Sequence, residues 1–368
     1  MLDTNANIGC LDDFPRARLS VGQTPLEYME NLSRAVGGGS LYVKRDDCNG
    51  LAFGGNKVRQ LEFYLGEALA EGADTIMMTG AVQSNFVRTA AAACRKLGLD
   101  CHAQLEERVN RQDMEYRENG NVLLNHLLGA TVHSYPDGED EAGADHNLHV
   151  IANGLRENGR HPYIVPMSPD HKPLGALGYV IAAQELLQQI DEDGISIDEI
   201  VVPAGSGNTY AGLLFGLRAL GSDIRVTGVC VRRNIQDQYP RMQTRFKQIA
   251  ALLDMCSRVT DDDIHLVDDY LAPGYGHSGQ DAFAAIFLGA HHEALMLDPC
   301  YMGKTMAAML DRAVAGKADK KNVLMFHTGG SPALFGYGEA YRAEGQTLTG
   351  RLSDNKWGLD VASPIPRH

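Results

Sequence analysis

The stretch Val201-Val-Pro-Ala-Gly-Ser-Gly-Asn-Thr-Tyr-Ala-Gly212 contains an apolar strand, a glycine-rich turn and the beginning of a helix. Glycines let a ligand approach the backbone closely, and the first N–H groups of a helix attract an anion. A dinucleotide fingerprint would need a glycine where Tyr210 stands, and no lysine follows the turn as it does in a P-loop. The stretch therefore favours a single phosphate monoester over a pyrophosphate. The alternative is an ordinary tight turn between strand and helix.

The rest of the chain repeats this order of strand, small-residue turn and helix. The candidate strands are Leu41–Lys44, Thr75–Thr79, Cys101–Leu105, Thr131–Tyr135, Tyr163–Met167, Glu199–Pro203, Arg225–Val231, Ile264–Val267 and Val323–His327. Helical spacing of apolar residues covers Val58–Glu71, Ser84–Leu97, Gly175–Gln189, Asn208–Leu220 and Met302–Ala315. This alternation predicts an α/β fold of open, mostly parallel, twisted sheets flanked by helices. The number of strands predicts two such sheets with a ligand-binding crevice between them.

Composition and charge exclude several classes of protein. The 368 residues include 33 Lys and Arg against 47 Asp and Glu, so the net charge of −14 argues against a nucleic-acid or membrane-surface partner. No run approaches the roughly 18 apolar residues of a spanning helix, and the polar start does not resemble a signal peptide. The 7 cysteines form no CxxC pair, which predicts free thiols rather than disulfides or a zinc site. We therefore expect a cytoplasmic enzyme without a metal, with the acidic stretch Asp137–Asp145 as a solvated loop.

A lysine stands at the mouth of a predicted helix in the segment Gly54-Gly-Asn-Lys-Val-Arg59. Partial desolvation and the positive end of the helix dipole both lower the pKa of such a lysine and favour a nucleophilic neutral amine. Lys57 is therefore a candidate for covalent catalysis. The alternative is a lysine that is merely solvated.

Further polar residues follow predicted strands or stand beside glycines. In Gly80-Ala-Val-Gln-Ser-Asn-Phe-Val-Arg88, Ser84 can cap a helix or offer its hydroxyl to a carboxylate-bearing ligand. The polar turn His327-Thr-Gly-Gly330 follows the last strand. Tyr275 and Tyr301 can reach into a cleft, although a half-buried tyrosine with a satisfied hydroxyl is the commoner case.

Taken together, these segments resemble the D-cysteine desulfhydrase and 1-aminocyclopropane-1-carboxylate deaminase family. The matching segments are Phe14-Pro-Arg, Thr24-Pro-Leu, Lys44-Arg-Asp-Asp, Leu51-Ala-Phe-Gly-Gly-Asn-Lys57, Gln83-Ser-Asn85, Leu174-Gly-Ala-Leu-Gly-Tyr179, Ala204-Gly-Ser-Gly-Asn-Thr209, Leu297-Asp-Pro-Cys-Tyr-Met-Gly-Lys304 and His327-Thr-Gly-Gly330. The resemblance covers roughly residues 12 to 340. It implies a pyridoxal 5′-phosphate enzyme of fold type II, the tryptophan synthase β-subunit type. It also implies a homodimer, with a large domain of residues 1–59 plus 176–368 and a small domain of residues 60–175.

The resemblance also implies roles for individual residues around the cofactor. Lys57 would hold the cofactor covalently and move a proton, Asn85 would bind the phenolic oxygen, and Thr328 would lie near the pyridine nitrogen. The phosphate would be bound by Gly205, Ser206, Gly207, Asn208 and Thr209. A hydroxyl beside the ring nitrogen makes the ring a weaker electron sink than a carboxylate would, which suits elimination.

On the substrate side, the resemblance implies that Ser84 binds the carboxylate or acts as an acid or base. Tyr275 and Tyr301 would act beside it, and Gln83 and Asn85 would also contact the substrate.

Departures from the family pattern bear on the substrate. Deaminases have a glutamate where Met302 stands and a leucine where Thr328 stands, so this pair argues against opening of a cyclopropane ring. Phe86 replaces a commoner histidine or glutamine. The loop 167–173 carries His171 and Lys172, which would lie near the substrate mouth and could bind a second acidic group. The alternative is that Lys172 points to water.

We therefore expect a lyase that catalyses β-elimination from a small β-substituted amino acid such as D-cysteine, giving pyruvate, ammonia and the leaving group. Within the family, the alternatives are the deaminase and a lyase acting on cysteate. Outside it, an amino-acid racemase or a non-catalytic binding protein would fit the same residues.

Overall fold

The computed structural model describes residues 8–166, 171–348 and 355–359. The strands in these ranges are β1 Leu26–Tyr28, β2 Leu41–Lys44, β3 Thr75–Ala81, β4 Asp100–Glu106, β5 Thr131–Tyr135, β6 Pro162–Ile164, β7 Glu199–Ala204, β8 Arg225–Cys230, β9 His265–Val267 and β10 Val323–Phe326. The α-helices are α1 Glu30–Val36, α2 Asn56–Ala70, α3 Asn85–Leu97, α4 Met114–Glu118, α5 Asn121–Leu127, α6 Glu141–Glu157, α7 Leu174–Glu192, α8 Asn208–Ala219, α9 Ile235–Leu252, α10 Gln280–Glu293, α11 Met302–Ala315 and α12 Gly338–Leu348.

The strands form two separate sheets. The larger sheet has the order β1-β2-β10-β7-β8-β9, and the smaller sheet has the order β5-β4-β3-β6. All neighbouring strands run parallel except β1 and β2. Every residue of β3, β7 and β10 is buried, as expected for strands covered by helices on both faces. The α/β fold with mostly parallel sheets is therefore confirmed.

Close packing of glycine-containing helices holds α2, α7 and α8 together beside the larger sheet. A Cβ atom on Gly178 of α7 would lie 2.3 Å from the carbonyl oxygen of Arg59, and one on Gly212 of α8 would lie 2.2 Å from that of Ala176. Larger residues at these two positions would push the helices apart.

A buried ionic network lies beneath α2 and uses several of the residues that carry the family resemblance. The guanidinium of Arg59 binds Glu185 at 2.8 Å and Asp46 at 3.0 Å, and the ammonium of Lys44 binds Glu185 at 2.5 Å. Tyr179 donates its hydroxyl to Asp46 at 2.5 Å. Burial alone would raise the pKa of Glu185, but Arg59 and Lys44 together lower it to about 2. These residues therefore fix the position of α2 and its neighbours rather than reacting themselves.

The predicted elements differ from the structure in a few places. The sequence did not predict β1, because its three residues are largely exposed and present no apolar run. The strand expected at Tyr163–Met167 is observed at Pro162–Ile164, and Met167 lies outside the described residues. The prediction of a solvated loop over Asp137–Asp145 was wrong in its second half, since α6 begins at Glu141. The proposed domain boundaries remain a prediction.

Candidate active site

A cleft of about 1170 Å³, continuous with solvent, lies where the carboxyl ends of strands from both sheets converge. Its wall includes residues at or just after the ends of five strands, namely Ala81, Glu106, Gly205, Arg232 and Thr328. Parallel α/β sheets bind ligands at this edge. The cleft is therefore the candidate active site.

Lys57 lies in the first turn of α2 and faces this cleft. The turn before it is tight, because Gly55 has a φ of 111° and a Cβ atom there would lie 2.8 Å from the carbonyl oxygen of Thr328. The amine donates to Oε1 of Gln60 at 3.3 Å and lies 5.0 Å from the centre of the Phe86 ring. Burial lowers the pKa of Lys57 to about 8. A much larger share of this amine than of an ordinary lysine is thus unprotonated near neutral pH, as a nucleophile or proton acceptor requires.

The glycine-rich loop at the end of β7 forms the opposite wall. Gly207 has a φ of 96° and precedes α8, and a Cβ atom there would lie 2.2 Å from Cε of Met242. The first N–H groups of a helix have no partner within it, so the start of α8 offers donors to an anion. The hydroxyl of Thr209 accepts from Asn56 at 2.8 Å and from Gln60 at 2.9 Å. These two bonds tie the loop directly to the turn that carries Lys57.

Asn85, at the beginning of α3, is oriented by a buried partner. Its side-chain oxygen accepts from Nδ2 of Asn121 at 2.9 Å, which leaves its N–H groups as the part offered to a ligand. The oxygen of Asn121 accepts from Nε of Arg88 at 3.2 Å. Arg88 also donates to the carbonyl oxygens of Ala52 and Gly54, the latter at 3.2 Å, and thereby holds the turn before Lys57. One buried guanidinium thus positions both sides of the cleft.

Ser84 is the N-cap of α3, where its Oγ accepts from the N–H of Val87 at 3.3 Å. Because that bond uses an oxygen lone pair, the hydroxyl hydrogen stays available to a ligand in the cleft. Capping and substrate binding, which the sequence left as alternatives, are therefore compatible.

Thr328 and Met302, the two departures from the deaminase pattern, are in contact. The hydroxyl of Thr328 donates to the sulfur of Met302 at 3.2 Å, and the N–H of Thr328 approaches the same sulfur at 3.3 Å. Thioether sulfur is a weak acceptor, so the hydroxyl can exchange this partner for a ring nitrogen.

Two tyrosines form the far wall of the cleft. The hydroxyls of Tyr275 and Tyr301 are 2.7 Å apart, and burial raises the pKa of both. Asp298 fixes the turn that carries Tyr301 by accepting three backbone N–H bonds, from residues 300 to 302, at 2.9 to 3.0 Å. The buried Lys304 donates to the carbonyl oxygens of Leu271 at 3.0 Å and of residue 274 at 2.9 Å. The pair is thus held as two protonated hydroxyls, of which one can donate to a ligand.

Four guanidinium groups also line the cleft, and we call Arg108, Arg232, Arg233 and Arg241 the arginine cluster. Arg108 pairs with Glu106 at 2.7 Å. The other three all pair with Glu141, at 3.0, 2.5 and 3.4 Å respectively. Glu141 begins α6 beside the smaller sheet, whereas its three partners follow β8 of the larger sheet, so these ion pairs join the two sheets across the cleft.

Three residues that the sequence assigned to the substrate do not line this cleft. Gln83 is buried and uses its side chain to bind the backbone of residues 116, 119 and 121 at 2.7 to 2.9 Å. His171 and Lys172 line a smaller adjacent cavity, and the largely exposed ammonium of Lys172 lies 4.0 Å from Glu67. Residues 167–170 of their loop lie outside the described residues.

Sequence reasoning missed the arginine cluster and the Arg88–Asn121 pair. Arg232 and Arg233 follow directly after a predicted strand, so the rule that polar residues beyond parallel strands face the crevice could have found them. No local signal could have paired Asn121 with Asn85, because 36 residues separate them.

The residues present fit pyridoxal 5′-phosphate. The loop before α8 suits one phosphate ester, and Lys57 suits an aldehyde. The N–H groups of Asn85 suit the phenolic oxygen, and the hydroxyl of Thr328 suits the ring nitrogen. Gly207 lines the cleft with a φ of 96°, a conformation that glycine adopts readily and that a phosphate-binding turn commonly requires.

Comparisons with known proteins agree with this chemistry. The family model described as "Pyridoxal-phosphate dependent enzyme" matches residues 17–329. A D-cysteine desulfhydrase of Klebsiella pneumoniae subsp. pneumoniae is 42% identical over 328 residues, which are 89% of this chain and 97% of the relative. A D-cysteine desulfhydrase of Salmonella typhi is 41% identical over 329 residues, with the same shares covered.

Solved structures are also similar. The crystal structure of an ACC deaminase homologue has a TM-score of 0.81 and 36% identity, covering 91% of this chain and 97% of that one. An O-ureido-L-serine synthase has a TM-score of 0.61 at 18% identity, covering 92% of this chain and 99% of that one, and supports the fold alone.

Proposed function

The chain belongs to the family of pyridoxal-phosphate-dependent enzymes, and we propose that it acts as a lyase on D-cysteine or a similar β-substituted amino acid. β-Elimination would release pyruvate, ammonia and the leaving group. The observation that carries this proposal is the half-buried Lys57, whose amine has a low pKa and whose helix is bound through Thr209 to the glycine-rich loop after β7.

When bound, pyridoxal 5′-phosphate withdraws electrons from the substrate Cα and makes its proton acidic. Lys57, with a pKa of about 8, accepts that proton as the neutral amine. The hydroxyl of Ser84 donates to the substrate carboxylate and so orients the Cα–H bond. Tyr275 and Tyr301 stay protonated because burial raises the pKa of both, and one of them donates to the departing group.

The proposal is tested by incubating the holoenzyme with each enantiomer of cysteine and measuring pyruvate, ammonia and sulfide together. We expect all three products in equal amounts from one enantiomer, and none from Lys57→Ala. A Gln60→Glu variant is a useful companion, since it changes a neighbour of Lys57 but keeps the amine. Interconversion of enantiomers without pyruvate would refute the lyase and indicate a racemase.

We also propose that the protein is a cytoplasmic homodimer. The dimer rests on the family resemblance, and sedimentation equilibrium at twice the 40.0 kDa chain mass would support it. The compartment rests on the cysteines, all seven of which are free thiols. Among the described helices, none combines the length and apolar character needed to cross a membrane. Cell fractionation tests the compartment.

A further inference from the structure

The cofactor brings a strongly negative phosphate group to a loop that has no charged side chain. A phosphate monoester carries a charge of about −1.5 to −2 at pH 7. Residues 205–209 are Gly, Ser, Gly, Asn and Thr, all of them neutral. The N-terminus of α8 contributes the equivalent of only about half a positive charge. A cation near the loop would therefore stabilise the bound cofactor.

One face of α9 follows this loop closely. Gln238, Met242 and Arg245 are four and three residues apart, so they lie on the same face of the helix. Gln238 donates to the carbonyl oxygen of Gly205 at 3.1 Å, and the side chain of Met242 lies against Gly207. The next residue on this face is a guanidinium, and α9 brings it to the loop.

Arg245 is only 7% exposed and lines the smaller cavity together with Ser206 and Asn208 of the loop. This cavity measures about 310 Å³, and none of the described residues that line it carries a carboxylate. Arg245 donates to Oε1 of Gln248 at 3.0 Å, but no carboxylate in the described part of the chain pairs with it. Burial of a guanidinium without an anionic partner is costly, because its hydration is lost. An anion bound at the loop would supply the missing partner.

Other cations around the two cavities are already engaged. Arg241, one turn earlier on α9, pairs with Glu141 at 3.4 Å, and the rest of the arginine cluster also has carboxylate partners. Lys172 lines the smaller cavity, but its side chain is largely exposed to water. The amine of Lys57 is needed for the aldehyde of the cofactor. Arg245 is therefore the buried cation whose charge is left for the phosphate.

Asn208 adds an unsatisfied polar group to the wall of the smaller cavity. Its Nδ2 donates to the hydroxyl of Tyr64 at 3.3 Å, while its Oδ1 is buried without a hydrogen-bond partner among the described residues. In the opposite orientation of this amide, the hydroxyl of Tyr64 donates to Oδ1 and Nδ2 becomes the atom without a partner. An anion nearby would favour that orientation, since it offers N–H donors beside the guanidinium.

We propose that Arg245 is the counter-charge of the cofactor phosphate and acts from the outer side of the loop that binds the phosphate ester. Because this residue lines the smaller cavity, it strengthens binding of the phosphate and takes no part at the aldehyde or at the reacting atoms. It is thus a positioning residue. The inference depends on the cofactor and not on the proposed elimination, so failure of the elimination would leave it standing.

The test compares the Kd for pyridoxal 5′-phosphate with the Kd for pyridoxal, which has the same ring and aldehyde but no phosphate. Both are measured by absorbance titration of the full-length protein after removal of the cofactor. We expect Arg245→Gln to raise the Kd for the phosphorylated form about tenfold to a hundredfold, the effect of losing one charged partner, and to leave the Kd for pyridoxal unchanged. Arg245→Lys should recover part of the affinity, because it keeps the charge but not the planar set of donors. Lys247→Gln removes one positive charge from an exposed position on the same helix and should change neither Kd.

Three outcomes would overturn the inference. In the first, Arg245→Gln weakens binding of both compounds equally and lowers the melting temperature, so the residue only supports the fold. In the second, neither Kd changes, so the phosphate charge is balanced elsewhere. In the third, the Kd for pyridoxal 5′-phosphate is unchanged, but the variant loses binding of free inorganic phosphate that calorimetry detects in the wild-type holoenzyme. The smaller cavity would then be a separate anion site.

Discussion

The low pKa of Lys57 can be tested through the rate at which the cofactor-free protein captures pyridoxal 5′-phosphate. A pKa of about 8 leaves roughly 9% of the amine unprotonated at pH 7, whereas the ordinary value of 10.5 would leave roughly 0.03%, a difference of about 300-fold. The capture rate should therefore rise about tenfold per pH unit below pH 8 and level off above it. The cause is burial, to which the Phe86 ring 5.0 Å away contributes.

Replacing Phe86 tests whether burial is what lowers the pKa of Lys57. Phe86→Gln should admit water to the amine, move the midpoint of the rate profile to about pH 9 and slow capture at pH 7 about tenfold. Phe86→Leu keeps the wall apolar and should retain a midpoint near 8. Capture is followed by borohydride reduction at timed intervals, with the labelled peptide identified by mass spectrometry. A wild-type midpoint near 10.5, or equal profiles for the glutamine and leucine variants, would refute the reasoning.

Three further predictions concern the loop, the buried network and the tyrosine pair. In Gly207→Ala the φ of 96° would strain the turn and the new Cβ would displace the end of the Met242 side chain, so we expect the Kd for pyridoxal 5′-phosphate to rise about tenfold; an unchanged Kd would contradict phosphate binding by this turn. The pKa of Glu185 is lowered from 4.5 to about 2, so its contribution to stability is complete above pH 4.5 and is lost as the pH falls towards 2. Urea unfolding of Glu185→Gln should therefore show a loss of about 3–5 kcal/mol at pH 7, because Arg59 and Lys44 both lose a carboxylate partner in the buried network, and a smaller loss at pH 3. Tyr301→Phe should lower kcat/KM for elimination about a hundredfold or more with little change in cofactor affinity; equal losses in both would mean that the tyrosine only supports the fold.

The sequence predicted the parts of the fold that depend on short-range patterns. Fully buried parallel strands are continuous apolar runs, so β3, β7 and β10 could be recognised without knowing their partners. The loop after β7 was recognisable because its glycines and the following helix are contiguous. The exposed β1 carries no such pattern, and its pairing with β2 depends on the rest of the sheet.

Site residues could be predicted where a single segment contains the informative pattern. They could not be predicted where the site depends on contacts between segments far apart in the sequence. Lys57 was recognisable from its glycines, but its tie to Thr209 spans 153 residues through Asn56. Gln83 belongs to the motif Gln83-Ser-Asn85, but its side chain binds the backbone of neighbouring segments rather than facing the cleft. The motif alone does not indicate which of its side chains face the cleft. Arg108 and Arg232 line the same cleft from two sheets, and no spacing along the chain encodes that meeting.

The position of β10 has a consequence for how the chain folds as it is synthesised. The smaller sheet comes from residues 75–164, so it can form early from one continuous stretch. The larger sheet has β10 between β2 and β7, and a nascent chain that ends before Val323 leaves both of those strands with unpaired edges. Closing that gap joins β2 to a strand about 280 residues later, a slow, non-local step. Since Thr328 follows β10 directly, the cofactor site is completed in the same step, and incomplete chains are the species most exposed to aggregation.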